Sequence, residues 1–310
     1  MQYTAFPYSD KPVSRLIFGA ANHDMQDNRD VDALLDAIFA AGINAFDTAR
    51  VYKESEVCLG RWMEKRGNRE KMFIITKGCH HNAWRKRVTP YDIKSDLMDS
   101  LARLRVDCID LYLLHRDDPA VPVGPIVETL NEMAAAGKIR CFGGSNWSHQ
   151  RLQEANEYAA AHQMQPFSVS SPFYSLVDQY GDPWKGGVKL SGPENAQARQ
   201  WYRENQMPVL CYSSMGHSFL SGKFTSDMPL SVFPPEHQSG ENLEKLRRAE
   251  SLAREKGTTV SQIALAWLLH QPMNLFPILG ITREAHLEKN LGALEISLTE
   301  EECRFLNPEE

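Results

Sequence analysis

The sequence predicts a parallel (β/α)8 barrel, an α/β fold of the TIM type. Three observations carry that expectation. Eight short apolar runs alternate with segments of helical periodicity along all 310 residues, the order that builds a parallel sheet. Composition breaks nowhere, and no linker, low-complexity tract or shorter repeat interrupts the alternation, so residues 1–310 read as one domain. Three successive runs also end on chemically able side chains: residues 43–46 on Asp47, 72–76 on Lys77 and 109–114 on His115. In a parallel barrel the strand carboxyl ends open on one face, where catalytic groups gather.

The elements follow in order. The first run covers residues 14–20 and carries Gly19, where backbone can approach a ligand closely. Residues 30–41 set Val31, Leu34, Leu35 and Ile38 on one helical face, and Gly42 ends the helix as a C-cap glycine does. The second run reaches Asp47, and the loop leaving it holds Tyr52. A helix over residues 55–65 buries Val57, Leu59 and Trp62. The third run ends at Lys77. The loop 78–87 then brings His80, His81 and Trp84, with His81 and Trp84 as substrate-binding candidates. No further ligand stands near the two histidines in sequence, so no metal is expected there. Thr89 and Pro90 open the next helix as cap and first-turn proline, with Ile93, Leu97, Leu101 and Leu104 inward.

After His115, Asp117-Asp118-Pro119 reads as a turn. Ile126, Leu130 and Met133 mark the fourth helix, which Gly137 ends; the fifth run is 139–144. Ser148 caps a helix to about residue 162, and the sixth run is 167–170. A Gly/Pro/Asp-rich loop over 178–190 precedes a helix at 193–204 and the seventh run at 207–212. The loop 213–241 is long, and loops of that length in compact domains are usually functional. Helices over 243–256 and 261–270, the eighth run at 275–279, and extra C-terminal helices at 284–291 and 300–305 complete the chain.

A formal net charge of −6 argues against general affinity for nucleic acid or anionic membrane. No apolar run approaches the length of a spanning helix. The N-terminus lacks the basic start and apolar core of a secretory signal. Six scattered cysteines with no Cys-x-x-Cys pair suit reduced thiols, so a cytoplasmic location is expected. Cys79 lies close to Lys77 in sequence and reads as an unreactive loop thiol.

Taken singly, each candidate has an ordinary reading: Asp47 a turn carboxylate, Lys77 a solvated lysine, His115 a satisfied histidine. Together with Tyr52 they make a proton-delivery set. A tyrosine near pKa 10 is a poor acid at neutral pH, and a lysine ammonium beside it favours the phenolate. Asp47 would hold Lys77 in place and protonated, while His115 hydrogen-bonds a carbonyl substrate. Such a set protonates a developing alkoxide, and the hydride must come from a cofactor.

The chain also resembles the aldo-keto reductases. The likeness is carried in order by Val13-Ser14-Arg15-Leu16-Ile17-Phe18-Gly19, Gly42-Ile43-Asn44-Ala45-Phe46-Asp47-Thr48-Ala49 and Leu113-Leu114-His115-Arg116. It continues through Gly137-Lys138-Ile139-Arg140, Phe142-Gly143-Gly144-Ser145-Asn146-Trp147 and His286-Leu287-Glu288-Lys289-Asn290-Leu291. It implies that residues 1–12 form a hairpin plugging the barrel floor. It also implies a catalytic tetrad of Asp47, Tyr52, Lys77 and His115, with Tyr52 as general acid and Tyr52 and His115 touching substrate.

A nicotinamide cofactor is implied too, NADP with NAD as the alternative, acting on a small carbonyl or alcohol substrate. Gly19, Asp47, Ser145, Asn146 and Ser171 would lie at its nicotinamide end, with Tyr212 stacked on the ring. Ser213, Ser214, Gly216, Leu220, Gly222 and Lys223 would cover the pyrophosphate. Gly280, Thr282, Arg283, His286 and Asn290 would hold the adenosine end, with Arg283 suited to a 2′-phosphate. Two positions depart from the family pattern: Ser171 stands where a glutamine is usual, and Lys53 where a glycine commonly follows the tyrosine. The rival readings are a nucleotide-binding redox-sensing regulatory subunit and a Schiff-base aldolase using Lys77. Oligomeric state stays open.

Overall fold

The computed structural model describes residues 1–308. Eight parallel strands close into a barrel, β3 (Ile17–Gly19), β4 (Ala45–Asp47), β5 (Phe73–Gly78), β6 (Ile109–Leu114), β7 (Ile139–Ser145), β8 (Val169–Ser171), β9 (Val209–Cys211) and β10 (Leu275–Leu279). They are preceded by an antiparallel hairpin of β1 (Tyr3–Thr4) and β2 (Val13–Ser14), in which Tyr3 faces Ser14. The expected (β/α)8 architecture is therefore observed. The chain forms two compact units, one of residues Met1–Ser171 with Gly280–Thr282, the other of Pro172–Leu279 with the chain from Arg283 onward.

In the first unit the register runs Phe18 beside Phe46, Asp47 beside Ile75, Lys77 beside Leu113, Leu114 beside Gly144 and Ser145 beside Ser171. Nearly every residue of these strands is buried. That explains why they read as apolar runs rather than alternating ones. Its main helices are α2 (Asp32–Ala40), α3 (Ser55–Arg66), α4 (Pro90–Leu104), α5 (Val123–Ala135) and α6 (His149–Ala161), after a single-turn α1 (His23–Gln26). Thr89 and Asp92 form a reciprocal capping box on α4, and the Ser148 hydroxyl accepts from Arg151 N–H to start α6.

Two expectations shift here for local reasons. The first apolar run splits, because the Ser14 hydroxyl donates to Leu16 O and Asn44 Oδ1 accepts the Ser14 N–H, tying residues 13–14 into the hairpin. The helix expected from residue 30 starts at Asp32, whose N–H is taken by the Asp30 side chain instead of a helical carbonyl.

The second unit pairs β9 with β10 in parallel, Val209 beside Leu275. Its helices are α7 (Ala196–Asn205), α8 (Gly240–Glu255), α9 (Val260–Leu269), α10 (Glu284–Leu291) and α11 (Glu300–Leu306). The segment 213–241 holds only short turns, Phe219–Lys223, Leu230–Val232 and Pro235–His237. Phe219, Phe224 and Phe233 pack under it with ring centroids 5.0–5.9 Å apart. Among the described residues, no helix is long and apolar enough to cross a membrane.

Candidate active site

The first unit gathers the four predicted side chains. Lys77 Nζ donates to both Asp47 oxygens, at 2.6 and 2.7 Å, and to Thr48 O at 2.9 Å. Both side chains are buried, 4% and 6% exposed, so neither charge is shared with water. Tyr52 stands on the turn after β4, where its N–H donates to Ala49 O. A hydroxyl pair, Thr48 Oγ1 with Ser55 Oγ at 2.9 Å, and a bond from Ser55 Oγ to Ala20 O brace that turn. Lys77 Nζ lies 5.3 Å from the Tyr52 ring centroid. His115 N–H donates to Gly78 O. Its ring meets Tyr52 edge-on at 5.8 Å and His80 edge-on at 4.8 Å.

Gly78, next to Lys77, leaves room for Tyr112 and Asp96. A Cβ there would fall 1.9 Å from the Tyr112 hydroxyl and 2.9 Å from Asp96 Cβ.

The electrostatics follow from burial and one cation. Burial opposes the charge on Lys77, but Asp47 and Tyr52 outweigh it and raise the ammonium above its usual range. Lys77 is a fixed cation. Burial also pushes the Tyr52 phenol above its ordinary value; Lys77 pulls it down and Asp47 pushes it up. The expected acidifying action of Lys77 is present, yet burial exceeds it. His115 is held well below the usual histidine range, by burial and then by Lys77, so its ring is neutral.

The other expected residues fall as follows. Gly19 ends β3 beside Asp47. Ser145 Oγ donates to Ser171 O at 3.0 Å, and Asn146, in the left-handed region at φ 57°, donates from Nδ2 to His115 O and to Ser145 Oγ. In the second unit Tyr212 is half-buried just past β9, and its N–H donates to Pro172 O. Ser213 follows at φ 51°. The Ser214 hydroxyl donates to Ile278 O at 2.8 Å. Gly216 is left-handed, and a Cβ on it would meet Val177 Cγ2 at 2.5 Å. Leu220 is fully buried, so its side chain belongs to the core. Gly222 at φ 88° and Lys223 are exposed.

Gly280 and Thr282, which belong to the first unit, are exposed, as is Arg283. His286 is half-buried and Asn290 buried on α10.

The substrate candidates separate. His81 Nε2 pairs with Asp117 O at 3.1 Å, whereas Trp84 is 89% exposed. His80, passed over in favour of its neighbour, is the histidine packed on His115. Buried Arg116 also acts on Tyr52 and His115, lowering the pKa of each. Its signal in the sequence was its place directly after His115. Thr48, whose carbonyl completes the Lys77 nest, left no side-chain signal.

Cys79 is buried at φ 63°, its thiol pushed well up by burial and then by Asp96 and Asp92, which disfavours the reactive thiolate. Asp118 shapes a turn, its carboxylate accepting from Ala120 N–H, and Asp117 pairs with Arg151 at 3.2 Å. Lys53 takes the left-handed φ of 44° that makes a glycine natural there, and its ammonium reaches Asp27 at 3.6 Å.

Comparisons with known proteins agree with this fold. A sequence family described as the aldo/keto reductase family matches residues 15–307. The aldo-keto reductase yakc of Schizosaccharomyces pombe, named as an NADP(+) enzyme, is 33% identical over 275 residues, covering 84% of this chain and 76% of that protein. An aryl-alcohol dehydrogenase of Phanerodontia chrysosporium, also named with NADP(+), is 28% identical over 305 residues, covering 88% of this chain and 74% of its own. The crystal structure of a thermostable aldo-keto reductase with the inhibitor epalrestat superimposes with a TM-score of 0.76 at 25% identity, each chain covered fully.

Proposed function

The chain belongs to the aldo/keto reductase family, and from that premise we propose that it reduces a small aldehyde or ketone with NADPH. The reduction is driven by proton delivery from Tyr52 Oη. The observation that carries this reading is Lys77, a buried ammonium gripped by Asp47 and set against Tyr52. A nicotinamide cofactor, when bound, supplies the hydride to the carbonyl carbon. Tyr52 donates its proton to the oxygen as negative charge develops there, and Lys77 stabilises the phenolate left behind. Asp47 positions Lys77 and keeps it charged. His115, as a neutral imidazole, still has one N–H to donate to the substrate oxygen.

The residues present fit such a cofactor in their donor chemistry. Arg283 and Lys289 are cations at the two ends of α10, and Lys289 Nζ is bonded to a carbonyl, Ser221 O at 3.0 Å, rather than to an acid. That leaves positive charge for phosphate oxygens. Within the second unit, Arg283, His286 and Asn290 would take the adenosine end and Gly216, Gly222 and Lys223 the pyrophosphate. The preference for NADP over NAD rests on Arg283 and on the names of the two relatives.

The aldolase alternative needs a neutral Lys77 amine. An ammonium with three hydrogen bonds and a raised pKa has no lone pair to attack a carbonyl. Loss of NADPH absorbance across a panel of aldehydes and ketones tests the reading. Tight cofactor binding with no turnover on any of them would point instead to a nucleotide-binding regulatory subunit.

A further inference from the structure

Away from the tetrad, within the second unit, His217, Glu236 and His237 bring one potential ligand atom each to within 4.8 Å of the others. The three are separated by up to twenty positions in sequence and lie at the two ends of the irregular 213–241 segment. No pattern of close spacing announces them, which is why a reading of the chain for clustered ligands passes over the group.

The hydrogen bonds around the cluster are lopsided. His237 is fully buried, and its Nδ1 stands 2.8 Å from Asp178 O. A carbonyl only accepts, so Nδ1 carries the proton and Nε2 of the neutral ring carries a bare lone pair. That Nε2 is buried and hydrogen-bonds to nothing. His217 repeats the arrangement, with Nδ1 at 2.9 Å from Glu236 Oε1 and a buried Nε2 that also has no hydrogen-bond partner. A buried polar atom left unmet is unfavourable, and a ligand that meets it relieves that cost. Imidazoles whose far nitrogen is anchored on a carbonyl or carboxylate are how proteins hold histidines that ligate metals.

The anchor is itself built. Asp178 O accepts a second bond from Asn242 Nδ2 at 2.8 Å, Asn242 Oδ1 accepts from Asp178 N–H, and Lys245 holds the Asp178 carboxylate at 2.9 Å. His237 is thus oriented by a buried network and cannot easily swing away. Glu236 is steadied by its backbone, whose carbonyl accepts from Tyr180 N–H at 2.8 Å.

We propose that His217, Glu236 and His237 form a binding site for a divalent transition ion of the zinc class. His237 ligates through Nε2, Glu236 supplies the anionic oxygen, and a fourth position is left for water. Two imidazoles and one carboxylate are a borderline-soft donor set that suits zinc or cobalt over calcium or magnesium. With metal–nitrogen distances of about 2.0–2.1 Å, ligand atoms of a tetrahedral ion lie roughly 3.3 Å apart, so the half-buried His217 and Glu236 must draw in toward the fixed His237 by side-chain rotation. The ion would tie residue 217 to residues 236–237 and close the intervening segment into a loop, reducing the freedom of its unfolded form.

The proposal stands apart from the reductase reading, because its readouts are metal binding and melting temperature rather than turnover. Untagged protein stripped by chelator is titrated with Co2+ while visible d–d absorption is followed, then with Zn2+ in competition. Saturable binding of a single equivalent is expected, with bands of four- or five-coordinate cobalt that Zn2+ abolishes. Zn2+ should also raise the melting temperature of the wild type. His217→Gln and Glu236→Gln, which change half-buried rather than fully buried side chains, should each weaken Co2+ binding by about 10–100-fold and remove the Zn2+ shift, with circular dichroism unchanged. Binding retained undiminished in both variants would put the metal elsewhere and overturn the assignment. No saturable Co2+ binding by the wild type would overturn it without any variant, leaving a hydrogen-bonded cluster only.

Discussion

The tetrad in the first unit and the 213–241 segment in the second place their polar groups by different means. Asp47 and Lys77 stand at or beside the ends of strands with pairing neighbours, and His115 follows directly on such a strand, so position is inherited from strand register. The loop residues inherit theirs from backbone conformation. Ser213, Gly216, His217, Ser218 and Gly222 all take positive φ, between 47° and 88°. A register can be read from apolar runs, because slipping it by one residue turns a buried face outward. A chain of left-handed turns, three of its five members not glycine, cannot. The lesson is that side chains set by strands are encoded regionally, and those set by loops only in three dimensions.

The largest expected effect probes the tetrad side of this contrast, at the one member carried on a turn. Tyr52→Phe should bind cofactor normally, by fluorescence titration, and lose turnover by about 10²–10⁴-fold. A near wild-type rate on a good substrate would remove Tyr52 as the acid and dissolve the tetrad into packing.

Next come the charges behind it. Lys77→Met should destabilise the fold by about 3–5 kcal/mol, since it strands the buried Asp47 without its counter-ion. Because Lys77 lowers the Tyr52 pKa, its loss should move the alkaline limb of the reduction profile to higher pH. Asp47 raises the same pKa, so Asp47→Asn should move the limb the other way, or leave it in place. The opposite signs matter more than the sizes. His115, held neutral, should contribute no limb in the usual histidine range. Shifts of equal sign for the two variants, or none, would reduce the set to geometry.

The smallest effect belongs to the exposed cofactor candidate. Arg283→Ala should weaken NADPH binding by about 10–100-fold and leave NADH nearly unchanged, as expected for a charge-assisted contact of about 1.5–3 kcal/mol. Equal losses for both cofactors would free Arg283 from a 2′-phosphate role.

Much of the fold was legible in the sequence for the same reason that the tetrad was. Fully buried parallel strands leave apolar runs, and caps such as Thr89 and Ser148 leave local signatures. The split of residues 13–14 from the first barrel strand was not legible, because it turns on the Asn44 side chain thirty residues away. The balance at Tyr52 was hidden as well. The order of the strand ends suggests an acidifying lysine, but only burial shows how strongly the low dielectric resists the phenolate. Choosing His81 over His80 had no basis in two adjacent histidines, whose outcomes differ by which ring faces His115.

Gly78 can be viewed as a mechanical stop. The space that a side chain would fill at that position belongs to the Tyr112 hydroxyl. If β5 slid by one residue against its neighbours, Lys77 would have to thread its long stem into a gap sized for hydrogen, so the strand can settle at only one notch. A substitution at 78 and a substitution at 112 are therefore not independent events. A side chain at the first would require the second to surrender bulk and Asp96 to give way as well.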